Sequence, residues 1–152
     1  MRIFTIILFL VFFTTYSCKT AKDTNRSKLI ESTENYFSMY RSGCYGRCPS
    51  YKIEIQRDGN FVYFGKSNVK YVGEKIGILS KEQVNKLFEN LKLYPWESYL
   101  EEYPIPNVDF PGFTLEYANG KTIKKIKGND NAPKELKDLT LKIDVILKKI
   151  NY

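Results

Sequence analysis

Residues 41–65, RSGCYGRCPSYKIEIQRDGNFVYFG, constrain this chain more than any other stretch. Cys44 and Cys48 stand four apart in a loop that also holds Gly43, Gly46 and Pro49. The loop runs into a strict alternation, with Tyr51, Ile53 and Ile55 on one face of a strand. Asp58-Gly59 then signals a hairpin, because glycine accepts the positive φ of a tight turn. A two-residue loop sets Ile55 opposite Val62 and Ile53 opposite Phe64. That register buries Val62 and Phe64 and leaves Phe61 and Tyr63 outside, where they would serve as contact residues. A buried two-stranded ribbon needs more chain to cover it, so the rest is read for strands and helices that can do so.

The downstream pattern supplies them. Tyr36 to Arg41 reads as a strand, and Val69 to Val72 as a short addition. Ser80 and Gln83 form a capping box, with Leu79 and Val84 as a hydrophobic staple. Val84, Leu87, Phe88 and Leu91 follow at helical spacing until Pro95 ends the helix. Phe113 to Tyr117 and Thr122 to Ile126 make a second hairpin around Asn119-Gly120, with Leu115 expected opposite Ile123. Pro133 opens a last helix with the stripe Leu136, Leu139, Ile143, Ile146 and Ile150. The 12 Tyr and 10 Phe add weight to strands, whose pleated surfaces suit them. The expectation is an α+β fold of two layers, an antiparallel sheet of about five strands with two helices on one face. The predicted order is βββ-α-ββ-α.

The first residues read differently. Arg2 precedes an apolar run from Ile3 to Phe13, too short for a permanent membrane span. Cys18 follows at the end of this leader, which resembles a bacterial lipoprotein signal. In that class the cysteine becomes the first mature residue and carries lipid. Lys19, in place of an aspartate, implies release to the outer membrane of a Gram-negative envelope. The expected organisation is a signal peptide at 1–17, a polar tether at 18–34 and a single domain at 35–152. Lipidation of Cys18 leaves Cys44 and Cys48 as a pair in an oxidising compartment, where disulfides persist.

Several chemistries lack their residues. The chain has no histidine, which removes a Ser-His-Asp arrangement and the commonest metal ligand. No phosphate-binding glycine motif occurs, and no cofactor is expected. The formal charge is +7, but the lysines are scattered over element faces, so nucleic acid is not expected as a partner. The segment from Pro95 to Pro111 carries four prolines and the acids Glu97, Glu101, Glu102 and Asp109. Asp109 is a candidate binding residue there, and Trp96, Tyr99 and Phe110 are expected to cap the core.

Three readings of Cys44 to Cys48 stay open. A structural disulfide would clamp the connection between strands. A redox pair would need a lowered thiol pKa, for which Arg47 could supply the cation, although a strand and not a helix follows. A soft metal such as copper(I) would use two thiolates. The Cys-x-x-x-Cys-Pro string also occurs in thioredoxin-fold copper-delivery proteins, which need a histidine and a βαβ frame besides.

The motif Arg41-Ser-Gly-Cys44-Tyr-Gly-Arg-Cys48-Pro-Ser-Tyr51, then Asp58-Gly59 and Tyr63-Phe-Gly65, resembles an uncharacterised domain family of bacterial lipoproteins. Later blocks are similar too, at Asp109-Phe-Pro111, Asn119-Gly120-Lys121, Ala132-Pro133-Lys-Glu-Leu136 and Ile143-Asp144. The resemblance spans about Tyr36 to Ile146. It implies an exported, lipid-anchored domain and no assigned reaction. The functional expectation is a non-enzymatic binding or structural lipoprotein, with an envelope protein as partner and Tyr45, Arg47, Phe61 and Tyr63 as contacts. A thiol-redox or copper(I)-handling protein using Cys44 and Cys48 is the alternative.

Overall fold

The computed structural model describes residues 35–104 and 111–149. The predicted leader, the Cys18 lipidation site, Asp109, Phe110 and Ile150 lie outside them. Among the described residues, six strands and two α-helices run in the order β1 (Asn35–Arg41), β2 (Ser50–Gln56), β3 (Asn60–Ser67), β4 (Gly73–Ile78), α1 (Lys81–Lys92), β5 (Phe113–Asn119), β6 (Ile123–Gly128) and α2 (Lys134–Lys149). All pairings are antiparallel, and the spatial order is β4-β3-β2-β1-β5-β6. The α+β expectation holds, with one strand more than the five foreseen, so the order is ββββ-α-ββ-α.

β1 lies inside the sheet and joins the β2–β4 strands to the β5–β6 hairpin. Phe37 faces Ile55 and Tyr117, and Met39 faces Ile53 and Leu115. These residues, with Phe61, Tyr63 and Ile126, form the inward face of the sheet. The stripes of both helices, Val84, Leu87, Phe88 and Leu91 on α1 and Leu136, Leu139, Ile143 and Leu147 on α2, join the same core. Burying each such side chain contributes about 2 kcal/mol, which makes this face the main source of stability.

The expected start of α1 is present. Ser80 Oγ accepts from the Gln83 amide at 3.2 Å, and the Gln83 side chain accepts from the Ser80 amide at 2.9 Å. Leu79 and Val84, the staple pair, are both buried. At α2, the Leu136 amide donates to the Pro133 carbonyl at 3.1 Å, so Pro133 stands at the helix entrance.

Both hairpin registers differ from expectation. Ile55 pairs with Phe61 and Ile53 with Tyr63. The Gly59 amide donates to the Gln56 carbonyl at 2.9 Å, and Gly59 has φ +99°. The turn therefore spans Gln56–Gly59, with Gly59 as the bulge that follows it, not as the second residue of a two-residue loop. One residue of slip exchanges the two faces of a strand. Phe61 and Tyr63 are accordingly 2% and 1% exposed, and Phe64 is 44% exposed. The expected placement of Phe61 and Tyr63 on an open face is corrected by this burial.

The second hairpin pairs Leu115 with Ile126 and Ala118 with Ile123. β5 continues to Asn119, whose side chain accepts from the amides of Lys121 and Thr122. Gly120 is left-handed, as expected. The shift puts Ile126 in the core and leaves Ile123 exposed. The fourth strand is also displaced. It is Gly73–Ile78, whereas Val69 to Val72 lies in the turn before it.

Candidate functional site at the cysteine loop

The loop between β1 and β2 projects from one end of the central strand. The Cys44 and Cys48 sulfurs are at disulfide distance, with Cα atoms 5.5 Å apart. Tyr45 at the tip is 92% exposed, and Gly46 and Arg47 beside it are also exposed. Below the ring the chain is tied down. The Ser42 amide donates to the Gly112 carbonyl at 3.0 Å, and Ser42 Oγ accepts from the Gly112 amide at 2.8 Å. Ser50 Oγ donates to the Arg41 carbonyl at 3.2 Å.

A second loop braces the ring from the side. Asn68 Nδ2 donates to the Cys48 carbonyl at 3.2 Å and to the Gly46 carbonyl at 3.4 Å. Asn68 has φ +53°, a conformation that asparagine tolerates better than most residues. Its turn packs close on β3. A Cβ on Gly65 would stand 1.9 Å from the Tyr71 carbonyl oxygen. The Tyr63 hydroxyl donates to that same carbonyl at 3.4 Å. Gly65 is thus the residue that lets the 68–71 turn approach the sheet.

Beneath the ring, Arg41 and Tyr51 converge on α2. The Arg41 guanidinium and the Tyr51 hydroxyl each bond one oxygen of the Asp144 carboxylate. The Arg41 and Asp144 side chains are 18% and 21% exposed, so the pair is screened only in part. Burial and the hydrogen bond to Asp144 push the Tyr51 hydroxyl well above its ordinary pKa. Burial also raises Tyr63, whose ring lies 5.7 Å from that of Tyr51.

Tyr51, Tyr63, Asn68 and Asp144 line an open pocket of about 310 Å³ beside Pro49, the 68–70 turn and the end of α2. Its walls include Pro49, Tyr51, Tyr63, Asn68, Asp144 and Leu147. Asn68, which braces the ring, and the bonded pair Tyr51 and Asp144 beneath it are part of this lining, so that part of the wall is held in place.

A wider depression of about 510 Å³ lies at the other end of β1, beside Asn35 and Trp96. There the Trp96 indole donates to the Leu91 carbonyl at 2.7 Å and packs 5.0 Å from Tyr117. Trp96 and Tyr99 stand edge to face, and Trp96 is buried, so these two cap the core as expected, while Phe110 lies outside the described residues. That depression is an open shelf over core aromatics. The cavity at the ring has the locked polar walls.

Of the candidate contact residues, Tyr45 and Arg47 sit together at the ring tip. Tyr63 lies below them, between core and pocket, and Phe61 stays in the core. Arg41, Asn68 and Asp144 were not singled out as site residues from the sequence. Arg41 and Tyr51 bound the motif on either side, which was the available signal for that pair. Among the described residues, no three His, Cys, Asp or Glu side chains gather as a metal-binding group.

No curated protein matches the chain. The pattern of the family described as a domain of unknown function, DUF6438, matches residues 35–147, from the first residue of β1 into the last turn of α2, and the chain belongs to that family.

Proposed function

We propose that this protein is an exported, lipid-anchored module of the bacterial cell envelope, on the outer membrane, that binds an envelope protein through its cysteine loop without catalysis. The apolar run ending near Cys18 supports export and anchoring. The observation that carries the binding reading is Tyr45, 92% exposed on a closed and braced ring beside exposed Arg47. Tyrosine and arginine dominate binding hot spots, and a rigid loop loses little entropy when it docks.

Two measurements test this. Membrane fractionation of wild type and Cys18→Ala addresses the anchor, and equal solubility of both would remove it. A photocrosslinking residue at position 45 in living cells should give discrete adducts that weaken with Arg47→Ala. The same residue at exposed Leu141 on α2 should not give them. Identical patterns at both positions would overturn the binding reading.

A thiol-redox or copper(I)-handling role is the second reading. Its support is that both sulfurs lie on a projecting, partly exposed loop. Against it, β2 and not a helix follows the pair, so no helix dipole lowers a thiol pKa there. Tight copper(I) binding by reduced protein, lost in Cys44→Ser/Cys48→Ser, would favour this second reading.

A further inference from the structure

We infer that the outer edge of β4 pairs with the same edge of a second copy of this chain, antiparallel about a two-fold axis at Gly77. The inference does not rest on the cysteine loop, and it gives the domain a second contact, made with itself.

β4 and β6 are the two edges of the described sheet. β6 is guarded, because it carries Lys124, Lys125 and Lys127 and is partly covered. The Lys127 amide donates to the Glu101 carbonyl at 2.8 Å, and the Lys127 carbonyl accepts from the Tyr103 amide at 2.9 Å. Lysines and covering chain keep sheet edges from pairing. β4 has neither over residues 76–78. The Leu79 amide donates to the Gly59 carbonyl at 2.9 Å, so Lys75, Gly77 and Leu79 are the residues whose backbone bonds to β3. Ile76 and Ile78 therefore turn their amides and carbonyls outward, where no described residue pairs with the edge. Their side chains lie on the open face of the sheet, 60% and 76% exposed. Phe64 on β3 extends this apolar surface behind them.

Ile76-Gly77-Ile78 reads the same in both directions, so this edge is its own complement. An axis at Gly77 sets Ile76 of each copy opposite Ile78 of the other, exchanging their backbone bonds. Only glycine then meets glycine on the helix side. The same register carries Glu74 toward Ser80 and Lys81 of the second copy, at the positive start of α1. An axis at Lys75 would oppose two like charges. An axis at Ile76 would need the Glu74 carbonyl, which already accepts from the Tyr71 hydroxyl at 3.4 Å. The Lys75 amine lies 4.3 Å from the centre of the Tyr71 ring, drawn back toward the start of the strand and clear of Gly77. A foreign strand could use the same backbone groups, but the palindrome and the Glu74–Lys81 match belong to a second copy. The contact falls short of the roughly 1,600 Å² of a standard interface, so the dimer is weak and builds with concentration.

The test is oxidative crosslinking of the full chain in cells, read on non-reducing gels against wild type, which shares Cys18, Cys44 and Cys48. Opposed residues at the axis lie about 4.5 Å apart at Cα, within reach of a disulfide. Gly77→Cys should therefore give a dimer band, and Ile123→Cys on the exposed face of β6 should not. Ile76→Lys in the Gly77→Cys background should cut the dimer about tenfold, because a cation replaces both apolar cross-strand contacts. Adding Ile78→Glu to that chain should restore it, since each lysine then faces a glutamate. A photocrosslinking residue at Ile78 leaves Gly77 intact and should give an adduct of the same dimer mass. No dimer at position 77 above wild type, equal dimer at 77 and 123, or no restoration by Ile78→Glu would overturn the inference. Adducts at Ile78 of another mass would mean a foreign strand and would overturn it too.

Discussion

The Tyr51 hydroxyl donates to the Asp144 carboxylate across 93 residues of chain. It joins the strand that leaves the cysteine loop to the last helix. Arg41, at the other foot of the loop, bonds the second oxygen of the same carboxylate. One side chain on α2 thus holds both ends of the loop in register.

Asp144→Asn tests that arrangement. The amide keeps one acceptor for Tyr51 but leaves the Arg41 charge without its counter-ion in a mostly buried position. Breaking a fully buried pair costs 3–5 kcal/mol, and partial exposure lowers the expected loss to about 2 kcal/mol. Arg41→Met in the same background should cost less than it does alone, because the pair is already broken. An unchanged urea midpoint for Asp144→Asn would show that the carboxylate anchors nothing.

Tyr51 also predicts how stability depends on pH. Burial and Asp144 raise its pKa in the folded chain above the ordinary value of about 10. As pH rises, the unfolded chain loses this proton first. The contribution is complete below about pH 10 and declines above it, by up to about 1.4 kcal/mol per pH unit for each such tyrosine. Tyr36, raised by burial and by Glu116, has the same sign. Tyr51→Phe should keep part of this alkaline decline but show a shallower slope than wild type. Parallel declines in urea midpoints above about pH 10 would mean that Tyr51 titrates alike folded and unfolded.

The elements set by local rules were legible in the sequence, and the contacts between them were not. Ser80 with Gln83 and the stripe through Leu91 are written within one helix, and the structure reproduces them. Asp58-Gly59 marks a hairpin, but the same pair fits a two-residue loop or a turn closed by a bulge. The two choices differ by one residue, and that parity decides whether Tyr63 or Phe64 is buried. β4 reads Gly-Glu-Lys-Ile-Gly-Ile, a poor strand former on its own, and becomes a strand by pairing with β3. At the site, the ring and its two flanking residues stood together in the motif. Asp144 was hidden because its meaning depends on a partner 93 residues away.

Gly65 carries a steric prediction. It lies on β3 between Tyr51 on β2 and Gly73 on β4. A methyl group there would collide with the Tyr71 carbonyl oxygen, which is backbone and cannot rotate away. Gly65→Ala should destabilise by about 3 kcal/mol through displacement of the 68–71 turn. Amide exchange should accelerate first in residues 66–72. A loss confined to α1, or none at all, would show that the turn adapts freely.

The ring itself gives the last prediction. Cys44 and Cys48 close a loop of only a few residues, so cross-linking removes little entropy from the unfolded chain. The loop-entropy relation puts the stabilisation at about 2 kcal/mol. Part of the ring's rigidity has a separate source, since Asn68 holds the Gly46 and Cys48 carbonyls by hydrogen bonds. The Cys44→Ser/Cys48→Ser variant should therefore fold, with a urea midpoint lowered by that amount. Reduced wild type should fall to the same midpoint. The alkaline slope assigned to Tyr51 should survive in both, because the Asp144 anchor lies below the ring and does not depend on the bond. Asn68→Ala should add its own loss to the double variant, since the side chain braces the loop with or without the cross-link. Equal midpoints for oxidised and reduced wild type would deny the bond a structural role and move the balance toward thiol chemistry.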